Sequence, residues 1–365
     1  MKDNKRIFLS PPWVGKSERE AIMRAFDSGY IAPVGPQVEE FEAEIRKVSQ
    51  RKYAIAVSSC TGALDLLMAS LKVDADTTVI APTMTFIATV VPAAHRGARL
   101  VFVDSDEFGN IDPATLEEAL KAEAGRSKKT LIIGVDLFGR CCDYEMLESL
   151  ARKYRARLII DAAESVGSRY KSRSAGSAGI AAVYSFNGNK IVTASSGGAI
   201  VTDDPKLYQH VTKLRSQARE KRKYYHHKEV GYNYAMSNLL AAVGAEQLRK
   251  LPEILAKKRK VNDFYLKLFN LERPSVREED NNWLTAVVLK SRKMRDEMME
   301  ALAKNNIESR MWWKPLHMQP VFKGVAYYGG TRAKRLFERG ICLPSGTGLT
   351  KNDLARIKTV LKNMV

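Results

Sequence analysis

The chain has 365 residues, 45% of them hydrophobic and 27% charged, and these proportions exclude a collagen-like or a disordered polypeptide. Its 59 lysines and arginines outnumber the 41 acidic residues by 18, which favours anionic partners such as phosphorylated small molecules. Because the basic residues are scattered and no nucleic-acid-binding motif accompanies them, we interpret them as a solvated surface and expect no nucleic-acid partner.

Short β-branched runs alternate with longer amphipathic stretches in the first half of the chain. The runs predict strands at residues 53–57, 77–82, 98–104, 129–136 and 156–161. Between them, segments such as TGALDLLMASLKV and DYEMLESLARKY have the periodicity of helices. This alternation is typical of a mostly parallel sheet that is covered by helices, so we expect an α/β fold.

The next two predicted strands, AAVYSF and GGAIVTDD, follow each other too closely for a crossover helix. One strand of that pair is therefore expected to be antiparallel. From about residue 250 the pattern changes to a long basic helix, LPEILAKKRKVNDFYLKLF, followed by a looser α+β tail. We predict a large domain over residues 16–250 and a smaller α+β domain over residues 251–365 together with residues 1–15.

The cysteines and the N-terminus give expectations about compartment and metals. The four cysteines form no CxxC motif, which indicates reduced thiols of an intracellular protein. The adjacent pairs Cys141/Cys142 and His226/His227 do not suggest a metal site, because neighbours on a strand point apart. The N-terminal apolar run is too short for a signal peptide, and no run reaches the length of a membrane helix. We expect a cytoplasmic protein with no metal and no membrane association.

Ligands of α/β sheets collect beyond the carboxyl ends of the strands. After residues 53–57 comes SSCTGALDLL, in which small residues open a helix whose free N–H groups could hold a phosphate. Ser59 or Thr61 could instead be an ordinary helix cap. After residues 77–82, Phe86 is either a flat face at the same edge or a core side chain.

Asp161 ends an apolar strand and Lys190 follows in the glycine-rich segment SFNGNKIVTASSGG, with Ser185 at the end of its own strand. A lysine amine forms Schiff bases with aldehydes, and pyridoxal phosphate needs such a lysine, an acid at its pyridine nitrogen and a phosphate site. Together with the SSCTG turn, these residues offer all three. A surface lysine with an unrelated structural aspartate is the alternative.

Motifs of competing enzyme classes are missing from the sequence. There is no GxGxxG after the first strand and no GxxxxGK[ST], which counts against a dinucleotide dehydrogenase and a P-loop enzyme. A GxSxG hydrolase elbow is missing as well.

The segment DAAESVGSRYKSRSAGSAGIAAVYSFNGNKIVTASSGG resembles nucleotide-sugar aminotransferases of the DegT type, which have the type I pyridoxal-phosphate aminotransferase fold. The resemblance runs nearly end to end and includes FLSPPWVG, YIAPVGPQVEEFE, TFIAT, GYNYAMSNLLAA, ESRMWWKPLHMQPVFKG and GICLPSGTGLT. The forms SFNGNK, WKPLHMQPVF and CLPSGT are most similar to the branch that aminates C4 of UDP-4-keto-6-deoxy-N-acetylglucosamine on the way to bacillosamine-type sugars. The resemblance implies glutamate as the amino donor.

Carried over by position, the resemblance implies that Lys190 is the Schiff-base lysine, that Asp161 partners the pyridine nitrogen and that Glu164 lies near the ring hydroxyl. It implies further contacts with the cofactor from Phe86, which stacks on the ring, and from Thr61, Gly62 and Ser185 at the phosphate. Asn233 is implied to reach the site of a second subunit, which makes the protein a homodimer with shared active sites. The residues implied around the nucleotide sugar are Ser10, Pro11, Tyr30, Arg310, Trp313, Lys314 and His317.

Four positions depart from the family pattern. Cys60 and Ser196 replace glycines, whereas Ala235 and Asn282 replace arginines that could bind a diphosphate or a carboxylate. These departures leave open a relative that acts on GDP-4-keto-6-deoxymannose or a 3-keto sugar. They also leave open a non-catalytic scaffold with the same fold, and a basic nucleic-acid binder remains the last alternative.

Overall fold

The computed structural model describes residues 5–270, 278–362 and 364. The remaining parts of the predicted small domain, residues 1–4, 271–277, 363 and 365, lie outside the described residues.

The described residues form helices that begin mostly at Ser, Asp, Thr or Gly caps or at proline. The helices are α1 (Lys16–Asp27), α2 (Pro36–Ser49), α3 (Cys60–Ser70), α4 (Val91–His95), α5 (Pro113–Ala122), α6 (Tyr144–Lys153), α7 (Pro205–Leu214), α8 (Asn238–Arg249), α9 (Leu251–Leu268), α10 (Arg292–Lys304), α11 (Arg332–Arg339) and α12 (Lys351–Leu361). The side chains of Ser59, Asp112, Asp143 and Asp204 accept hydrogen bonds from the first turns of α3, α5, α6 and α7. These caps satisfy amides that have no partner inside the helix.

The described residues form fourteen strands, of which seven coincide with the predicted runs to within one or two residues, whereas the other seven have no predicted counterpart. The strands are β1 (Tyr53–Val57), β2 (Thr77–Pro82), β3 (Arg99–Val103), β4 (Lys129–Val135), β5 (Arg157–Asp161), β6 (Arg169–Tyr170), β7 (Arg173–Ser174), β8 (Ala181–Ser185), β9 (Gly198–Thr202), β10 (Glu278–Glu279), β11 (Thr285–Val288), β12 (Arg310–Met311), β13 (Ala326–Tyr328) and β14 (Gly340–Leu343). Most residues of the central strands are buried, as expected for strands with helices on both faces.

The main sheet has eight strands in the order β1-β9-β8-β5-β4-β2-β3-β13. β9 is antiparallel to both of its neighbours, whereas the remaining pairs are parallel. The prediction that one strand of the β8/β9 pair is antiparallel is therefore confirmed. Because β9 runs against both neighbours, Val57 and Ser185 at the ends of β1 and β8 both pair with Gly198 at its start.

A smaller antiparallel sheet, β11-β14-β12, packs on a hydrophobic core of its own. That core includes Ile7, Tyr265, Met298 and Ile357, which come from both ends of the chain. We keep the two-domain division as a proposal that this core supports. The strand β13 differs from that division, since it pairs with β3 at the edge of the main sheet although it falls in the range given to the small domain.

Within the described part of the chain, no helix is both long enough and apolar enough to cross a lipid bilayer.

Candidate active site

A cavity of about 420 Å³ opens at the edge where β1, β5 and β8 end. The topology explains its position, since the loops after these strands all leave the sheet on the same side. Eight of the predicted site residues line it, namely Thr61, Phe86, Asp161, Glu164, Ser185, Lys190, Arg310 and Trp313.

The amine of Lys190 points to a buried acidic wall of this cavity. Its Nζ lies 3.4 Å from Glu164 Oε1, and the Glu164 side chain is 7% exposed. The other carboxylate oxygen, Oε2, accepts a hydrogen bond of 2.7 Å from the backbone N–H of Phe138. Phe138 has φ 54, a strained conformation for a bulky residue, and in this conformation its backbone N–H donates to the Glu164 carboxylate. Glu164 is thus fixed on one side while it faces the lysine on the other.

Asp161 is held by a relay of two threonine hydroxyls. Thr89 Oγ1 donates to Asp161 Oδ2 at 2.7 Å, and Thr85 Oγ1 lies 2.7 Å from Thr89 Oγ1. A hydroxyl has one proton to donate, so Thr89 must accept from Thr85 when it donates to the carboxylate. The backbone N–H of Ala163 donates to the other oxygen, Oδ1, at 3.2 Å. Each of these bonds favours the ionised form of Asp161.

Burial opposes that preference at both acids. It raises the pKa of Asp161 and the pKa of Glu164, while the positive charge of Lys190 acts to lower both. Two carboxyl groups and one amine therefore share an enclosed space in which their charges depend on one another. This is the kind of cluster from which acid–base catalysts are built.

The start of α3 forms the other end of the cavity. Ser59 Oγ accepts from the N–H of Gly62 at 3.0 Å, so the serine is the helix cap. The amides of Cys60 and Thr61 lie in the first turn of α3, where a backbone N–H has no acceptor within the helix, so they are available to bind an anion. Gly198 makes this arrangement possible, because a Cβ there would lie 2.5 Å from the Cys60 nitrogen.

A second cavity of about 360 Å³ adjoins the first and shares Asn189, Trp283, Arg310 and Trp313 with it. Its remaining walls are mostly apolar side chains, and the predicted residues Ser10 and Pro11 are among them. The Arg310 guanidinium donates two hydrogen bonds to Glu308 Oε1, from Nη2 at 3.0 Å and from Nε at 3.2 Å. The pair of cavities therefore combines an apolar surface with one guanidinium group that both cavities share.

Five predicted residues line neither cavity. The Gly62 amide is used by the Ser59 cap, and the exposed Asn233 accepts from the Gln217 side-chain amide at 3.1 Å. His317 Nδ1 lies 2.7 Å from Thr83 Oγ1, its ring stacks on that of Tyr327, and burial lowers its pKa. The remaining two, Tyr30 and Lys314, are exposed. The roles of all five stay predictions.

Trp283 is a site residue without a predicted role, and its ring centroid lies 4.0 Å from Lys190 Nζ. The indole Nε1 donates to the Asn189 carbonyl at 2.7 Å, so the ring is fixed beside the lysine. Thr89 and Phe138 are likewise site residues without a predicted role. No local motif marks Trp283 or Phe138, because tertiary packing brings each to the site, whereas Thr89 lies in the TFIAT segment.

The four departures from the family pattern have local roles. Cys60 lines the first cavity, and burial raises its pKa, which keeps the thiol protonated. Ser196 Oγ donates to the Ser58 carbonyl at 2.9 Å, and Ala235 forms a bridge with Val57. Asn282 has φ 53, a left-handed conformation in which asparagine is favoured over arginine.

The residues present fit pyridoxal phosphate. An amine, a buried carboxylate with oriented donors and a helix start with free amides surround one cavity. The exposed ring of Phe86 offers an apolar face between them. In type I folds this combination holds the cofactor's aldehyde, ring nitrogen and phosphate.

Comparison with known proteins supports this fit. EpsN of Bacillus subtilis (strain 168), described as a pyridoxal phosphate-dependent aminotransferase, is 38% identical over 99% of this chain and 96% of its own length. The GDP-perosamine synthase of Caulobacter vibrioides is 33% identical over the whole of both chains. The UDP-4-amino-4,6-dideoxy-N-acetyl-beta-L-altrosamine transaminase of Campylobacter jejuni is 28% identical over 95% of this chain and 94% of its own.

The fold has a close match among solved structures. Spr1654 from Streptococcus pneumoniae, described as a sugar aminotransferase, superposes in its PLP form with a TM-score of 0.90 at 26% identity, over 99% of this chain and all of the other. The model of the DegT/DnrJ/EryC1/StrS aminotransferase family matches residues 12–362. The predicted type I fold, the pyridoxal-phosphate cofactor and the transaminase activity are thereby confirmed. The chain belongs to the DegT/DnrJ/EryC1/StrS aminotransferase family.

Proposed function

We propose that this enzyme transfers an amino group from glutamate to the 4-keto carbon of a nucleotide-linked 6-deoxysugar, with Lys190 as the covalent anchor of the cofactor. The observation that carries this proposal is the meeting of Lys190, Asp161 and the start of α3 around one cavity. Each comes from a different strand end, and the three match the three functional groups of the cofactor.

When bound, pyridoxal phosphate supplies an aldehyde that captures amines and a ring that accepts electrons. Asp161, with Thr89 behind it, provides the buried negative charge for the ring nitrogen. Thr61 and Ser185 provide hydroxyl donors for the phosphate, and Phe86 provides the stacking face. The Lys190 amine would serve as the general base that takes the proton from the amino-acid donor, and Glu164 Oε1, 3.4 Å from the amine, would hold its charged form.

The second cavity favours a deoxygenated sugar. Its wall includes Pro11, Trp283, Met311 and Trp313, surfaces that suit a methyl group better than a hydroxyl, because a buried hydroxyl without a partner is costly. Arg310, at the junction of the two cavities, supplies a guanidinium that binds a carboxylate or a phosphate in bidentate fashion.

Two nucleotide sugars are candidates for the acceptor. UDP-4-keto-6-deoxy-N-acetylglucosamine is the acceptor that the motifs of the chain favour. GDP-4-keto-6-deoxymannose is the second candidate, because the GDP-perosamine synthase is 33% identical to this chain and the UDP-sugar transaminase 28%.

We further propose that the enzyme is a homodimer with shared sites. Asn233 lies outside its own cavity, and the preceding loop exposes large side chains, with Tyr224, Tyr225 and Val230 being 66%, 77% and 90% exposed. Such a surface is typical of an interface.

The dimer is tested by mixing two variants, K190A and N233A. In a hybrid, one site combines an intact Lys190 with an intact Asn233 from the other chain, whereas each parent lacks one of them at both sites. Mixing the subunits is expected to restore about a quarter of the wild-type sites. A mixture no more active than the parents contradicts sharing.

The acceptor is identified by incubating the holoenzyme with glutamate and each keto sugar in turn, followed by mass spectrometry and NMR of the product. We expect a 4-amino-6-deoxysugar from at least one of the two candidates. Amination at C3, or no turnover of either sugar while a 3-keto sugar reacts, contradicts the proposal.

A further inference from the structure

Lys258, on α9, is buried although it is a lysine. The residue is 2% exposed, and within the described part of the chain its amine donates to three neutral oxygens. Its Nζ donates to the Ser345 carbonyl at 2.6 Å, to the Trp283 carbonyl at 3.0 Å and to Ser10 Oγ at 3.4 Å. Burial lowers the pKa of Lys258 to about 7. A buried lysine of this kind is costly to retain without a role.

The three oxygens belong to segments that converge on the active site. Ser10 precedes α1, Trp283 precedes β11 and Ser345 follows β14, so one amine ties together three separate parts of the chain. The Ser345 side chain is itself fixed, because its Oγ accepts a hydrogen bond from the Thr285 backbone N–H at 2.7 Å and donates one to the Leu343 carbonyl at 2.7 Å. The network is therefore anchored firmly on the side away from the cavity.

On the cavity side, the same network ends at Lys190. Ser10 Oγ donates to the Asn189 carbonyl at 3.2 Å, and Trp283 Nε1 donates to that carbonyl at 2.7 Å. Asn189 directly precedes Lys190, and the Trp283 ring lies over the Lys190 amine at 4.0 Å. Two paths thus lead from Lys258 to the backbone and to the aromatic neighbour of the reactive lysine.

We propose that Lys258 is a positioning residue, whose amine fixes Trp283 and Ser10 so that the indole face stays over the Lys190 nitrogen. An aromatic face favours a positive charge above it. Asp161 and Glu164, the carboxyl groups that face Lys190, favour the same charge. Lys258 therefore acts on the nitrogen at position 190 without touching cofactor or substrate. This inference rests on the proposed role of Lys190 as cofactor anchor.

The test uses the holoenzyme without substrate. The absorbance of the bound cofactor changes with pH as the nitrogen that joins it to the protein gains a proton, and the midpoint of that change is measured. In K258M we expect the midpoint to fall by about half a pH unit, the size of a lost cation–π contact. W283F, which removes the indole donor, is expected to shift it in the same direction.

Two control variants separate positioning from stability. K260M makes the same change at an exposed lysine of α9, and M298A weakens the core of the small domain away from the network. Both are expected to keep the wild-type midpoint, although M298A lowers the melting temperature. A K258M midpoint equal to that of wild type, with or without a shift in W283F, overturns the proposal.

If K258M does not fold, S10A decides, since it breaks the path from Lys258 through Ser10 to Asn189 at a partly exposed residue. An unchanged midpoint in S10A overturns the proposal as well. Borohydride reduction and peptide mass spectrometry of the same samples show where the cofactor is attached. Attachment to another lysine contradicts the proposed function itself, whereas attachment to Lys190 with an unmoved midpoint contradicts the role of Lys258 alone.

Discussion

Replacing Thr89 by valine keeps the shape of the side chain and removes the hydroxyl that donates to Asp161 Oδ2 at 2.7 Å. A hydrogen bond to a charged group contributes about 1.5–3 kcal/mol, which corresponds to about one to two pKa units. Since the bond favours the ionised carboxylate, its loss raises the pKa of Asp161 further above its usual value. We expect T89V to bind pyridoxal phosphate about 10- to 100-fold more weakly.

The assay is an absorbance titration of the cofactor-free protein with pyridoxal phosphate, together with kcat/KM for glutamate. T85V removes the outer hydroxyl of the relay and is expected to have a smaller effect in the same direction. T202V makes the same substitution at a buried threonine that donates to the Ile180 carbonyl, far from the site, and should leave the affinity unchanged. Wild-type affinity in T89V would contradict a role of this hydroxyl in holding Asp161 ionised.

Three further predictions concern the site and the fold. E164Q places a neutral amide between Phe138 and Lys190 and is expected to lower kcat about tenfold, whereas unchanged turnover in rapid-mixing experiments contradicts a role for this carboxylate. G198A brings a Cβ to 2.5 Å from the start of α3, so calorimetry should show a lower melting temperature and cofactor titration a weaker affinity, and wild-type values for both would contradict the close approach. Burial acts to raise the pKa of Glu18, but hydrogen bonds from Lys250, Gln247 and Gly15 outweigh it and lower the pKa to about 2. The ionised Glu18 therefore stabilises the folded state above its unfolded pKa, and this stabilisation is lost as the pH falls toward 2. Urea denaturation should find E18Q less stable than wild type by about 1–2 kcal/mol at neutral pH, with a difference that shrinks in acid. A difference that does not depend on pH is inconsistent with this linkage.

Much of the fold could be predicted because its signals are local. The runs at residues 53–57 and 77–82 contain β-branched residues and are buried apart from the half-buried Tyr53, and their bounds agree with β1 and β2. The short connection between β8 and β9 was sufficient to predict an antiparallel strand. In contrast, β13 has three residues and no periodicity, and its place beside β3 depends on long-range contacts such as that of the Tyr328 hydroxyl with Glu123 Oε1 at 2.8 Å.

The site residues likewise include some that local sequence predicts and others that depend on long-range contacts. Asp161 and Ser185 end two strands of one sheet and Lys190 follows the second of them, so elementary topology places the three together. Trp283 lies 94 residues beyond Asn189 and reaches the site only because the segment before β11 packs there. Lys258 is still harder to predict, since a lysine in a basic amphipathic helix is normally solvated and only the fold shows that this one is buried.

The central claim is that Lys190 carries the cofactor. Its most direct test is borohydride reduction of the holoenzyme followed by mass spectrometry of the peptides. We expect a phosphopyridoxyl group on Lys190, and we expect the K190A variant to acquire no such group and not to exchange amino groups between glutamate and 2-oxoglutarate. Attachment to a different lysine, or exchange at the wild-type rate in K190A, would contradict it.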